Sequence, residues 1–284
     1  MSLPPAYLAG EPNELLTGAL GDPATALAAL RQAGATAIEL RAVGAHTDPA
    51  LALAAARQVW HAGGILTVHG ELPASTPAAL CPALVALCRE MAQQGRCAIV
   101  TIHSYKSLEE PTSALAARTI RAVRELLHDA EEEGLPLRLA VELNRAKGGN
   151  DPSVSYRCLL SMHARIAHPH VGFCWDFGHA FSNVRQGAMT LVPPDAFLRR
   201  VIHTHIHDLY ADGATHAPLT EGRLPLASVL WVLRCAGYGG IINLELGGHR
   251  QDSPAGVCAG LFASIARLVD VLTTLKHAPV GFRN

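Results

Sequence analysis

The residues best able to do chemistry sit at the ends of short hydrophobic runs. Ile65–Val68 runs into His69, Ile99–Ile102 into His103, and Leu139–Val141 into Glu142. Phe173–Trp175 leads to Asp176, Val201–Ile202 to His203 and His205, and Ile241–Leu244 to Glu245. Imidazole and carboxylate are the ligands suited to a catalytic divalent metal. Glu142, Asp176, His205 and Glu245 follow or end successive runs, and they make a mostly hard, anionic donor set. Such a set suits Mn²⁺, Mg²⁺ or Co²⁺ and also admits Zn²⁺. It would leave about two octahedral positions for adjacent oxygens of a substrate. One Glu after a strand is ordinarily a solvated strand end. The repetition of the pattern at successive strand ends favours a site.

Residues so far apart in sequence need a frame that gathers them. A parallel β/α barrel brings the carboxyl ends of its strands to one face, where its active site lies. Here strand-like runs alternate with helical segments, as βαβ units require. The first strand is expected near Ala6–Ala9. Asp22-Pro23 starts a helix with a cap and an N1 proline, running to Gly34, and Thr36–Leu40 is strand two. Helices follow at Pro49–His61, Pro77–Gln94 and Pro111–Glu133, each before the next strand. Asp151-Pro152 opens the helix before strand six at Val171–Trp175, and Pro193–Arg200 precedes strand seven. Leu226–Ala236 precedes strand eight, and Gln251–Lys276 closes the ring. Glycines 34, 63, 95, 134 and 237 punctuate the helix ends. The expected fold is α/β, one (β/α)8 barrel domain over residues 1–284. A doubly wound open sheet is the runner-up, but no G-x-G-x-x-G follows the first strand.

Composition agrees. A length of 284 residues suits one α/β barrel, and 49% apolar residues supply a large core. A net charge of −1 gives nucleic-acid binding no support. The seven cysteines are scattered and form no C-x-x-C pair, which reads as reduced thiols in the cytoplasm. The Met1-Ser-Leu-Pro-Pro start lacks the regions of a signal peptide. No apolar stretch reads as a clean membrane span. The expected partner is a small molecule, with homo-oligomerisation left open.

Several pieces of the chain resemble the xylose-isomerase-like barrel superfamily of sugar isomerases, epimerases and apurinic-site endonucleases. They are Ala37-Ile-Glu-Leu-Arg41, Val141-Glu-Leu143, Trp175-Asp-Phe-Gly-His179, His205-Ile-His-Asp208, His216-Ala-Pro-Leu-Thr-Glu-Gly222 and Asn243-Leu-Glu245. The resemblance implies that Glu142, Asp176, His205 and Glu245 hold the metal. Alternation puts His203, His205 and His207 on one face of strand seven. His205 is preferred because it lies three residues before Asp208, where similar proteins carry the ligand. His69, His103, His179 and His216 sit where similar endonucleases hold additional zinc ions, and where sugar-converting relatives bind substrate oxygens. The endonuclease pattern has an Asp where this chain has Ala214, and its Asn-Asp-Ser-Lys segment is replaced by His207-Asp208-Leu209-Tyr210. Ketose epimerases of the superfamily carry an Arg where this chain has Ala211. Both departures narrow the choice without naming a substrate.

The expected function is a divalent-metal-dependent isomerase, epimerase or related dehydratase of a small sugar or polyol ketone. The metal would stabilise an enediolate, with Glu142 and Glu245 removing and returning the proton. Lys147 and His207 are weaker candidates for substrate contact, and Glu39 and Arg41 could reach the barrel mouth or form a surface ion pair. The alternatives are a zinc-dependent phosphodiesterase or apurinic-site endonuclease, and a non-catalytic metal-binding barrel.

Overall fold

The computed structural model describes residues 1–74, 76–247 and 253–277. Eight parallel strands pair in chain order: β1 Ser2–Leu3, β2 Ala37–Val43, β3 Ile65–Gly70, β4 Ala98–Ile102, β5 Leu137–Glu142, β6 Val171–Asp176, β7 Val201–Ile206 and β8 Ile242–Leu244. The connections carry α1 Pro5–Leu8, α2 Glu14–Leu20, α3 Pro23–Gln32, α4 Pro49–His61, α5 Pro82–Gln93 and α6 Thr112–Glu132. The second half adds α7 Tyr156–Ile166, α8 Phe177–Arg185, α9 Asp195–Leu198, α10 Leu226–Cys235 and α11 Pro254–His277. This is the (β/α)8 barrel that the alternation predicts. At the seam, Asn243 Nδ2 donates to Ser2 Oγ (2.9 Å) and to Glu39 Oε1 (2.8 Å), so side chains tie β8 to β1 and β2.

Register explains which residues face inward. Leu40, Val68, Val100, Leu139 and Val171 are partners across adjacent strands, all apolar and buried. That row packs outward under the helices, so the alternate residues point into the barrel. His69 pairs with Thr101, and Glu142 with Cys174, on this inner side. Two irregularities matter for the site. Phe173 pairs with Val201 but Cys174 pairs with His203, so β7 carries one extra residue at Ile202. Phe173 stacks on Phe197 in the helix layer at 4.5 Å. Without the extra residue, His203 and His205 would follow Val201 to that outer face; the bulge turns them inward. A similar shift in β2 lies between Leu40 and Val43, where Ala42 has φ 57°.

Several sequence expectations shift. The first strand is Ser2–Leu3, whereas Ala6–Ala9 falls in and just after α1, because Pro5 starts a helical turn that buries Tyr7 and Leu8. The helix expected from Pro77 begins at Pro82; Ala78 and Leu80 instead donate their amides to Glu125 and Asp129 of α6. The helix expected from Asp151-Pro152 begins at Tyr156 with Ser155 as cap, since Asp151 accepts from Ser104, Asn144 and the Ser153 amide. Gln251, the expected start of the last helix, lies outside the described residues. Contrary to the expectation of no such span, α11 is long and apolar enough to cross a membrane, with mean hydropathy 1.7. In the barrel it packs on α2 and α10, burying Leu261, Ile265 and Leu268. None of the seven cysteines is bridged in a disulfide.

Candidate active site

Glu142 ends β5, Asp176 ends β6, His205 lies in β7, and Glu245 directly follows β8. One donor atom from each lies within 4.8 Å of the others, and all four side chains are buried. Asp176 is held by its own helix: it caps α8, with Oδ1 accepting from the His179 amide at 2.7 Å. The glycine of the Asp-Phe-Gly-His segment has a steric reason. A Cβ at Gly178 would meet the His207 ring at 2.0 Å. His207 Nδ1 lies 3.0 Å from both the His216 amide and the Asp208 carbonyl, while its Nε2 faces Asp176 Oδ1 at 3.2 Å. His207 thus stands behind Asp176 and off the cavity wall, in contrast to the substrate contact expected of it.

His205 connects two layers. Its Nε2 lies 3.1 Å from Glu39 Oε2, while its Nδ1 lies 3.1 Å from Glu245 Oε2 and 3.4 Å from Glu142 Oε2. With the Nε2 proton donated to Glu39, the Nδ1 lone pair would face two carboxylates. Only a positive charge makes that stable. Glu142 Oε1, Asp176 Oδ2 and His205 Nδ1 are buried with no hydrogen-bond partner among the described residues. Each buried orphan of this kind costs about 1–3 kcal/mol or more. A divalent cation would satisfy all three at once, and the hard oxygen-rich set fits one. The Glu39 contact is the arrangement that fixes a histidine ligand's tautomer from behind. Without a cation, a proton fills the need: burial works against it, but the carboxylates of Glu39, Glu245 and Glu142 raise His205 well above the ordinary imidazole value.

Glu39 is the residue that sequence reasoning misplaced. It is fully buried rather than part of a surface pair, and it also takes donors from His203 Nε2 (2.9 Å), Ser2 Oγ (2.8 Å) and Asn243. The signal was available, as a Glu inside the apolar run Ala37-Ile-Glu-Leu40. Burial penalises its charge, yet His205 and His203 hold its carboxyl well below the usual range. Arg41 sits at the mouth instead, 3.8 Å from Glu245. Cys174, also unforeseen, is kept a thiol because burial pushes its pKa up.

The other histidines ring the cluster. His69 Nε2 and His103 Nε2 lie 3.1 and 3.0 Å from Glu142 Oε2. His179 Nδ1 lies 3.2 Å from Glu142 Oε1 and 3.4 Å from Asp176 Oδ2. Burial opposes its charge, but Asp176 and Glu142 raise it to about 9. Burial and the neighbouring His207 lower His216 to about 3, leaving it neutral. His179, His207 and His216 also have donor atoms within 4.8 Å of one another, as do His69, Glu142 and His205. His69, His103, His179, His216, Glu142 and Glu245 line a cavity of about 490 Å³, and Lys147 reaches it from the loop after β5.

The model of the xylose isomerase-like TIM barrel family matches residues 27–261. A search of curated proteins finds no match. A xylose isomerase domain protein from Alicyclobacillus acidocaldarius subsp. acidocaldarius superposes with TM-score 0.64 at 20% identity, covering 97% of this chain and 98% of that one. A D-tagatose 3-epimerase-like protein gives 0.65 at 17%, covering 97% of each. A D-allulose 3-epimerase from Methylomonas sp., in complex with D-allulose, gives 0.61 at 14%, covering 96% of each. These three likenesses show the shared fold. The family match spans strands β2 to β8, the part of the chain that carries every residue of the cluster, and on it this chain belongs to the xylose isomerase-like TIM barrel family.

Proposed function

We propose that this protein is a divalent-metal-dependent isomerase or epimerase of a small sugar or polyol ketone, or a closely related dehydratase. One observation carries the reading: four buried donors from successive strand ends converge beside an open cavity, three of them with an atom that has no hydrogen-bond partner. Family membership supports it, as do neighbours described as D-tagatose 3-epimerase-like, D-allulose 3-epimerase and L-ribulose 3-epimerase.

Glu142, Asp176, His205 and Glu245 would hold the cation. When bound, it would polarise a carbonyl and an adjacent hydroxyl, so that the intervening C–H becomes acidic. Glu142 and Glu245 both approach His205 Nδ1 and both line the cavity. One would take the proton from carbon and the other return it, the usual work of paired carboxylates. Glu39 would orient His205, and His207 would orient Asp176. His69, His103 and His179 would hold substrate oxygens above Glu142.

The test is solvent-deuterium exchange by the metal-loaded protein, read by NMR on a panel of ketoses, aldoses and inososes. Deuterium entering the carbon next to the carbonyl of one panel member is the expected result. A second reading, a phosphodiesterase using more than one zinc ion, draws on the two further donor groups around Glu142 and His207. No exchange into any panel member, together with cleavage of abasic-site DNA or a simple phosphodiester, would select it.

A further inference from the structure

A second chamber of about 430 Å³ adjoins the cavity, sharing His103, Lys106, Lys147 and His179 with it. Its far wall adds Arg145. Three cationic side chains thus face one space at the edge of the candidate site.

The loops carrying them are braced. Ser107 and Asn150 exchange both backbone hydrogen bonds, at 3.1 and 2.8 Å. Asp151 accepts from Ser104 Oγ and Asn144 Nδ2, at 2.7 and 2.8 Å. Buried Asn183 of α8 accepts from the Ala146 amide and donates to the Asn144 and Val154 carbonyls. Gly148 and Gly149 turn the loop at φ 71° and 83°, and a Cβ at Gly149 would press on the Ser107 carbonyl at 3.1 Å. The loop from β5 is therefore fastened to the loop from β4, which holds Lys106 near Arg145 and Lys147.

Like charges held together without a counter-charge are unfavourable. Among the described residues, the arginine ion pairs use Arg41, Arg57, Arg89 and Arg118, and none involves these three cations. Asp151, the carboxylate on the chamber wall, is occupied by its own hydrogen bonds. Arg145 Nε is buried without a partner. Lys147 shows the strain, since burial, then Arg145 and Lys106, push its pKa down. An anion would relieve all of this and could take charge-assisted hydrogen bonds from each cation.

We infer that the substrate carries an anionic end, a phosphate ester or a carboxylate, and that Lys106, Arg145 and Lys147 receive it while the carbonyl end reaches Glu142 and Glu245. This rests on the sugar-converting reading and narrows its substrate to anionic sugars or polyol ketones.

Calorimetry on the metal-loaded protein, titrated with glycerol 3-phosphate, D-glycerate and glycerol, tests it. At least one anion should bind about tenfold or more tighter than glycerol, and the better of the two identifies the group. Combined Lys106→Met, Arg145→Met and Lys147→Met changes should remove that preference. Lys147→Arg alone should keep it, which guards against a merely unfolded variant. Equal anion affinity in the wild type and the triple variant would place the anion on the metal and overturn the proposal, as would no preference for either anion. Deuterium exchange separates the two readings. Equal exchange into neutral and anionic ketoses, unchanged in the triple variant, would sink the anionic substrate and leave the isomerase. Anion binding lost in the triple variant, with no exchange into any sugar, would leave the anion site and sink the isomerase.

Discussion

The barrel holds two polar layers built from the same residue types, and His205 belongs to both. In the lower layer Glu39 receives four donors, from Ser2, Asn243, His203 and His205, so its charge is neutralised inside the fold. In the upper layer Glu142, Asp176 and Glu245 surround His205 Nδ1, and partnerless atoms on Glu142, Asp176 and His205 remain buried. A carboxylate supplied with donors is structural. Carboxylates that converge without enough donors require something from outside, and the cavity admits it. Burial alone therefore does not mark a site; the balance of donors and acceptors does.

The largest effect should follow from taking a donor out of the upper layer. Asp176→Ala or His205→Ala should abolish metal binding and turnover while the barrel persists, with a lower melting temperature because native-state binding no longer stabilises it. Wild-type metal content by elemental analysis in either variant would remove these residues from the ligand set. Next comes Glu245→Gln, which keeps an oxygen donor but loses the base. Turnover should fall by about two to four orders of magnitude with partial retention of metal; an unchanged rate would end its role in proton transfer.

Glu39→Gln probes the lower layer and should act more gently on the site. An amide presents two hydrogens where four donors converge, so stability should drop by about 3–5 kcal/mol in denaturant titrations. Metal affinity should weaken by about 10–100-fold as His205 loses its orientation. Full affinity in a folded variant would mean that the two layers are independent.

The smallest effect is the pH profile of stability. Glu39, Glu142, Asp176 and Glu245 have lowered folded pKa values against an ordinary 4.5 or 3.8, because nearby imidazoles outweigh the burial that raises them. Their contribution is complete above about 4.5 and fades as pH falls. His205 and His179 are raised above 6.5, His179 to about 9, despite burial. Their contribution is complete below 6.5 and is lost as pH rises through the folded values. Burial lowers His203 and His216 below 6.5, so both oppose folding as pH falls beneath that value, and the metal-free protein should be most stable near pH 6.5. A metal bound by His205 would replace its proton, so added metal should flatten the alkaline side and bind more tightly as pH rises. Melting curves with and without a chelator check this; identical alkaline flanks would show that no cation takes the proton's place.

Much of this was written locally in the chain. Apolar runs ending in His, Asp or Glu, helix starts such as Asp22-Pro23 and Asp48-Pro49, and helix-ending glycines depend on neighbours a few residues away. They sufficed for the barrel and for Glu142, Asp176 and Glu245 at its strand ends, whereas His205 was singled out from His203 and His207 only by the family resemblance. Local patterns could not decide register. The extra residue at Ile202 turns His203 and His205 into the barrel, and only pairing with β6 reveals it. Nor could they show that Glu39 meets His205 across 166 residues, or that the loops bearing Lys106 and Lys147 are fastened together. Side-chain type and spacing are properties of the chain. Which lone pairs find a donor, and which are left facing one another, is settled only when distant strands close around a common interior.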